Sequence, residues 1–271
     1  MEGTTVTQEK WLIDEEKTID FEAVRSVKVS LIGGQVNIVG HDEPGARVEV
    51  HSVRGKALKV SIDGDRLEID HPQIGWENFV DVFTSFSGRA SADLSIMVPR
   101  DAALKFGAVN ANTLVSGLTS DATVSTVNGD LVIDSVQGDL QLNSVNGEIN
   151  VRGHHGAVAV KTVNGDVTVS GEIVRFSCDG VVGSVFLDIA GVPDSIRVNT
   201  VSGHLTARLE AGVAVRYTIS TVAGKLQLDD SEITGVHGTY NGKFGALDKH
   251  WIDFKTNSVS GSVSVLHAVH A

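Results

Sequence analysis

From residue 21 onward the chain alternates apolar and polar residues, the period of a strand with one buried face. Val27, Val29 and Leu31 alternate in this way, as do Val36 and Ile38, Val48 and Val50, and Leu58, Val60 and Ile62. Leu67 with Ile69, and Leu94 with Ile96 and Val98, continue the pattern. Asp63-Gly64 lies between two such runs and predicts a hairpin turn. Beyond residue 100 the alternation acquires a second, longer period.

That period is 18 residues. Thr126-Val127-Asn128-Gly129-Asp130 is followed by Ser144-Val145-Asn146-Gly147-Glu148 and Thr162-Val163-Asn164-Gly165-Asp166. The phrase returns as Val181-Val182-Gly183, Val201-Ser202-Gly203, Val222-Ala223-Gly224, Tyr240-Asn241-Gly242 and Val259-Ser260-Gly261. One step back from Gly129 lies Val109-Asn110-Ala111, which makes nine copies. The apolar columns agree across copies. Leu131, Ile149, Val167, Val185, Leu205 and Leu226 share one position, and Ile133, Val151, Val169 and Leu187 the next inward one. On the other half of the unit Leu140, Val158 and Phe176 align, then Leu142, Val160 and Cys178.

A repeat that buries one face per unit and agrees best at 18 residues predicts stacked coils rather than hairpins. The predicted fold is all-β: a β-solenoid of about nine coils over residues 101–271, its strands paired in parallel. The crossover rule for parallel strands favours right-handed winding. Residues 21–100 predict less regular β coils or a cap, which an open solenoid end requires to cover its unpaired edge. No linker separates the two parts, so residues 21–271 read as one continuous domain behind an acidic segment, 1–20.

Three sets of residues resemble a known family: Gly34-Gln35-Val36-Asn37-Ile38, Val98-Pro99-Arg100-Asp101, and the run of Val-Asn-Gly and Val-Ser-Gly phrases. They resemble a bacterial β-strand-repeat family of unknown function, labelled adhesins and grouped in the toast-rack superfamily. The resemblance spans roughly residues 21–265. It implies a β-solenoid-like fold, no established activity and no catalytic residues to carry over.

Composition narrows the partners. With 22 Lys+Arg against 34 Asp+Glu the net charge is −12, and no basic stripe offers itself to nucleic acid phosphates. Segment 1–20 lacks the apolar stretch of a secretory signal, and no apolar run reaches the roughly 18 residues of a membrane span. A single cysteine, Cys178, excludes an intramolecular disulfide. These features predict a cytoplasmic protein without membrane insertion.

Candidate chemistry is sparse. Asn110, Asn128, Asn146 and Asn164 form one column and predict a side-chain ladder from coil to coil. Asp130, Glu148 and Asp166 form the next column, weak candidates for a divalent cation although the calcium-binding nonapeptide pattern is absent. His154-His155 reads as a turn where Val136 stood one coil earlier. His267 and His270 read as an exposed tail, and Cys178 as a core thiol. Trp76, Phe79, Phe83 and Phe86 concentrate four aromatics in eleven residues and predict an interaction surface. The expectation is a module without catalysis or cofactor that binds an unidentified protein or a second copy of itself. The alternative is a carbohydrate-binding or carbohydrate-active envelope protein using the solenoid face.

Overall fold

A computed structural model describes residues 9–71, 90–233 and 238–268, and these form strands, turns and loops without a helix. The chain divides into two compact units, Met1–Gly129 and Asp130–Ala271.

The first unit opens with β1 (Glu9–Ile13), β2 (Lys17–Phe21), β3 (Ser26–His41), β4 (Ala46–Arg54) and β5 (Leu58–Asp63). After them come β6 (Arg66–Asp70), β7 (Ser91–Pro99), β8 (Ala103–Ser116) and β9 (Ala122–Asn128). β3 and β8 run in parallel along most of their length, Val27 against Leu104 and Ile38 against Val115. On its other side β3 takes parallel β6 in its first half and parallel β7 in its second. The change of partner falls at Gly33-Gly34. Gly34 has a φ of 128°, and a Cβ there would collide with the carbonyl of Ala92, so this corner admits only glycine.

Both sides end in antiparallel strands: β5 joins β6 and carries β1, while β4 joins β7 and carries β2. The β5–β6 hairpin turns at Gly64, whose φ is 62°. β1 and β2 lie within the segment that the pattern left without an element. Trp11 meets the Phe21 ring edge-on at 5.6 Å, and Ile13 is buried, a contact too short in sequence to show as periodicity.

The second unit contains β10 (Leu131–Asp134), β11 (Leu140–Asn146), β12 (Ile149–Asn164), β13 (Val167–Val182), β14 (Val185–Ala190), β15 (Ser195–Ser202) and β16 (Leu205–Leu209). They are followed by β17 (Val215–Ala223), β18 (Leu226–Leu228), β19 (Ser231–Ile233), β20 (Gly238–Phe244), β21 (Ile252–Ser260) and β22 (Val263–His267). Each coil puts one strand before its corner glycine and one after it. The strands after the corner stack in parallel as β10, β12, β13, β14 and β16. Those before it stack as β11, β12, β13 and β15.

The order then departs from the sequence. β15 pairs with β21 rather than β17, and β16 pairs with β22 rather than β18. β17 and β18 lie on the far side of β21 and β22. The last coil, 252–267, is therefore inserted between the coils of 195–209 and 215–228. A Cβ on Gly261 would strike the carbonyl of Gly203, and one on Gly224 would strike that of Gly261, so the corners record the same order. The terminal coil is closed by antiparallel strands, β20 on β17 and β19 on β18. Tyr240-Asn241-Gly242 belongs to β20. It imitates the repeat phrase, yet runs antiparallel against Tyr217–Ile219 and is not a coil corner.

The core consists of the predicted columns with the inserted residues added. Leu205, Val263 and Leu226 are neighbours, as are Ile196, Phe254 and Tyr217, the last two rings meeting edge-on at 5.9 Å. Cys178 sits fully buried between Val160 and Val198. The inserted coil is locked at its end. The His267 ring is buried, its Nδ1 2.9 Å from the Asp229 carboxylate and its Nε2 3.0 Å from the Val213 carbonyl, and it stacks on Phe244 at 3.9 Å. His267 is thus a core clamp rather than part of an exposed tail, because the inserted coil carries it inside.

Candidate functional site

The feature that stands out in the second unit is a row of exposed valines. In β13, β15, β21 and β17 side chains alternate: Phe176 and Cys178, Ile196 and Val198, Phe254 and Thr256, Tyr217 and Ile219 point inward. The residues between them face out in aligned rows. Asp179, Asn199, Asn257 and Ser220 are successive partners in one row, and two residues on come Val181, Val201, Val259 and Val222. These valines are 42%, 48%, 50% and 62% exposed, and Val163 one strand earlier is 46% exposed. Burying a valine fully is worth about 1.5–3 kcal/mol, so a contiguous row left in water is a standing cost to this chain.

The two rows line an open groove of about 620 Å³, bounded at the terminal coil by Gly238 and Thr239 of β20. Its polar wall is a hydrogen-bonded ladder. Asn257 donates to Asn199 at 2.8 Å, Asn199 to Asp179 at 2.8 Å, and the Ser220 and Thr239 hydroxyls are 2.9 Å apart. The ladder fixes the amides as a rigid edge beside the valines. Continuity depends on the inserted coil: without β21, Val201 and Val222 would not be linked by Val259, nor Asn199 and Ser220 by Asn257.

A family model, Toastrack DUF4097, matches residues 26–265. The chain belongs to this family. Among curated proteins none matches it. Of the solved structures similar to this Toastrack chain, a candidate lipid-binding protein from Parabacteroides distasonis has a TM-score of 0.52 at 11% identity, covering 93% of this chain and 97% of that one. A candidate adhesin from the same organism has a TM-score of 0.40 at 12% identity over 97% and 98% of the two chains. A candidate cell adhesion protein from Clostridium sporogenes has a TM-score of 0.27 at 13% identity over 97% and 100%. At such identities the likeness concerns the fold alone.

The residues singled out from sequence occupy several places in the Toastrack fold. Asn128 donates its side-chain amide to Asn110 at 2.7 Å, and the register sets Asn146 against Asn164. In the acidic column, Asp130 accepts the backbone N–H of Glu148 at 2.9 Å and Asp166 that of Ser184 at 2.7 Å. His204 accepts likewise from Ser262 at 3.3 Å, the residue after the neighbouring corner. The side chain after the glycine thus ties each of these corners to the next coil. Trp76, Phe79, Phe83 and Phe86 lie outside the described residues.

His154 does not sit in a turn. It lies within β12, where a bulge at Val151/His154 turns its ring into the core position of Val136, and His155 points outward to Glu172 at 2.9 Å. Neither ring nitrogen of His154 has a hydrogen-bond partner among the described residues, and burial lowers its pKa. Burial also pushes the Cys178 thiol up to about 12, which makes it a poor nucleophile. Sequence reasoning missed the valine groove. Val181, Val201, Val222 and Val259 were inside the repeat phrase all along, but they read as parts of a corner rather than as an outward row.

Proposed function

We propose that this protein is a non-catalytic protein-interaction module and that the valine groove of the second unit is its binding surface. The observation that carries the reading is the contiguous exposed row Val181, Val201, Val259 and Val222 on a rigid parallel sheet. Association is the ordinary means by which such a row leaves water, and a sheet with fixed side-chain spacing offers complementarity without ordering cost.

The same lining argues against carbohydrate chemistry. Glycoside cleavage uses two carboxylates at a set separation, whereas Asp179 is the only carboxylate among the described residues that line the groove and already accepts from Asn199. Among the described residues no aromatic ring lines the groove to stack on a sugar.

A photo-activated benzophenone side chain placed at position 222 in the native host tests the reading. A discrete protein adduct is expected there and not from the same group at position 186, an exposed site in β14 that does not line the groove. Adducts to glycan alone, or equal adducts at both positions, would overturn it.

A further inference from the structure

The outward face that carries the groove is cationic in an acidic protein. Besides the valine row, β12, β13, β15, β21, β17 and β20 direct Lys161, Arg175, Arg197, Lys255, Arg216 and Lys243 to this side, against Asp179 and Asp253. Six of the ten Lys and Arg in residues 130–271 thus share one face with two of the fifteen Asp and Glu. The face carries +4 in a chain of −12.

Part of this charge is unanswered. Arg216 bonds Asp253 at 2.7 Å and Lys255 lies 4.0 Å from the same carboxylate, so one acid serves two cations. Lys161, Arg175, Arg197 and Lys243 have no ion-pair partner among the described residues. Arg197 and Lys255 are direct partners on adjacent parallel strands. Like charges side by side on a sheet are unfavourable, and an arriving anion relieves them.

The geometry points to an acidic β-sheet surface of a partner protein as the occupant of this face, an inference that rests on the protein-interaction reading above. On the two adjacent central strands, β15 and β21, Arg197 and Val201 and likewise Lys255 and Val259 lie four residues apart, about 13 Å, and the rows repeat every ~4.8 Å across the strands. Only another sheet offers rows on that lattice. The partner would present acidic residues and β-branched apolar residues four apart on the two strands that face β15 and β21, packed face to face. A bilayer fits less well: the short valines stand beside long Lys and Arg side chains, which would hold them off the acyl region.

The test uses the full chain, isotope-labelled, and a synthetic two-stranded hairpin whose one face carries Val and Glu four residues apart on each strand. Twins carry Lys or Gln in place of Glu. Backbone amide shifts confined to β13, β15, β21 and β17 are expected with the Glu hairpin, with at least tenfold weaker binding of the Lys twin. Raising salt from about 50 to about 500 mM should weaken the Glu hairpin about tenfold. The double variant Arg197→Glu/Lys255→Glu should reverse the preference between Glu and Lys hairpins. Equal binding of the Glu and Gln hairpins would overturn the charge assignment while leaving the groove an interaction site. Shifts of the same amides with protein concentration alone would assign the face to a second copy. Shifts appearing only with vesicles of phosphatidylglycerol would assign it to lipid. Either result overturns this proposal, and a hairpin that leaves the valine row unperturbed overturns the underlying reading as well.

Discussion

Two halves of the second unit use one repeat differently. Over residues 131–209 each coil stacks on the coil before it in sequence, and Leu131, Ile149, Val167, Val185 and Leu205 are neighbours in that order. Over residues 215–267 the same corner phrase and the same inward columns appear, yet the last coil lies between two earlier ones. The corner explains how both can hold. Each coil offers the same backbone edge above and below, so the repeat fixes how any two coils dock and is indifferent to which two meet. In the second half β20 runs back antiparallel along β17 on the edge away from β21, and the chain then enters between β15 and β17.

Phe176 and Phe254 allow the sharpest test, because both are fully buried in one column, one in the sequential stack and one in the inserted coil. Each substitution by Ala should cost about 3–5 kcal/mol in denaturant unfolding. They should differ in hydrogen exchange. Phe254→Ala should release amides of 215–228 together with those of 252–267, while Phe176→Ala should not release that set selectively. Identical protection maps would mean that the inserted coil is no separate cooperative element.

His154 sharpens the contrast from the sequential side, where its buried ring takes the place that Val136 fills one coil earlier. Because burial lowers its pKa, the folded state leaves it neutral while the unfolded chain takes up a proton below about 6.5. Its contribution is therefore intact above that pH and is lost as pH falls through the window beneath it. His154→Leu should raise stability by about 1–2 kcal/mol near neutrality and flatten the acid-side slope. Some slope should remain, because burial lowers the pKa of His71 in the first unit too. An unchanged slope in urea titrations at successive pH values would show that His154 is not its source.

The smallest effect concerns Thr256, buried between Val198 and Ile219 in the inserted coil with its hydroxyl unpartnered among the described residues. Thr256→Val, which keeps the shape and completes the column, should stabilise by up to about 1 kcal/mol. A loss of stability would mean that the hydroxyl is satisfied by water and that the inserted coil is less dry than the sequential stack.

Much of this was legible in the residues themselves. The columns, the corner glycines and the parallel stacking follow from alternation and an 18-residue step, because both are local: a strand exposes every second side chain, and a corner without room for a Cβ must be glycine. The first unit was less legible. Its antiparallel edges β1 and β2 are five residues each, too short for a period to declare itself. The groove was the least legible. Its valines sit in the repeat phrase like every other corner residue, and nothing in that phrase says which side of the sheet is left uncovered.

Local pattern thus determined that this chain makes β coils, which residues fill them, and that corner side chains such as Asp130 and Asp166 would recur. Only the tertiary structure decided the order of the coils, and with it the line Val201, Val259, Val222 that makes the groove continuous and the pairing of Arg197 with Lys255. The physical reason is that equivalent coil edges make many stacking orders locally equal. Burial of Phe254 against Ile196 and Tyr217, together with the clamp of His267 on Asp229 and Val213, selects one of them.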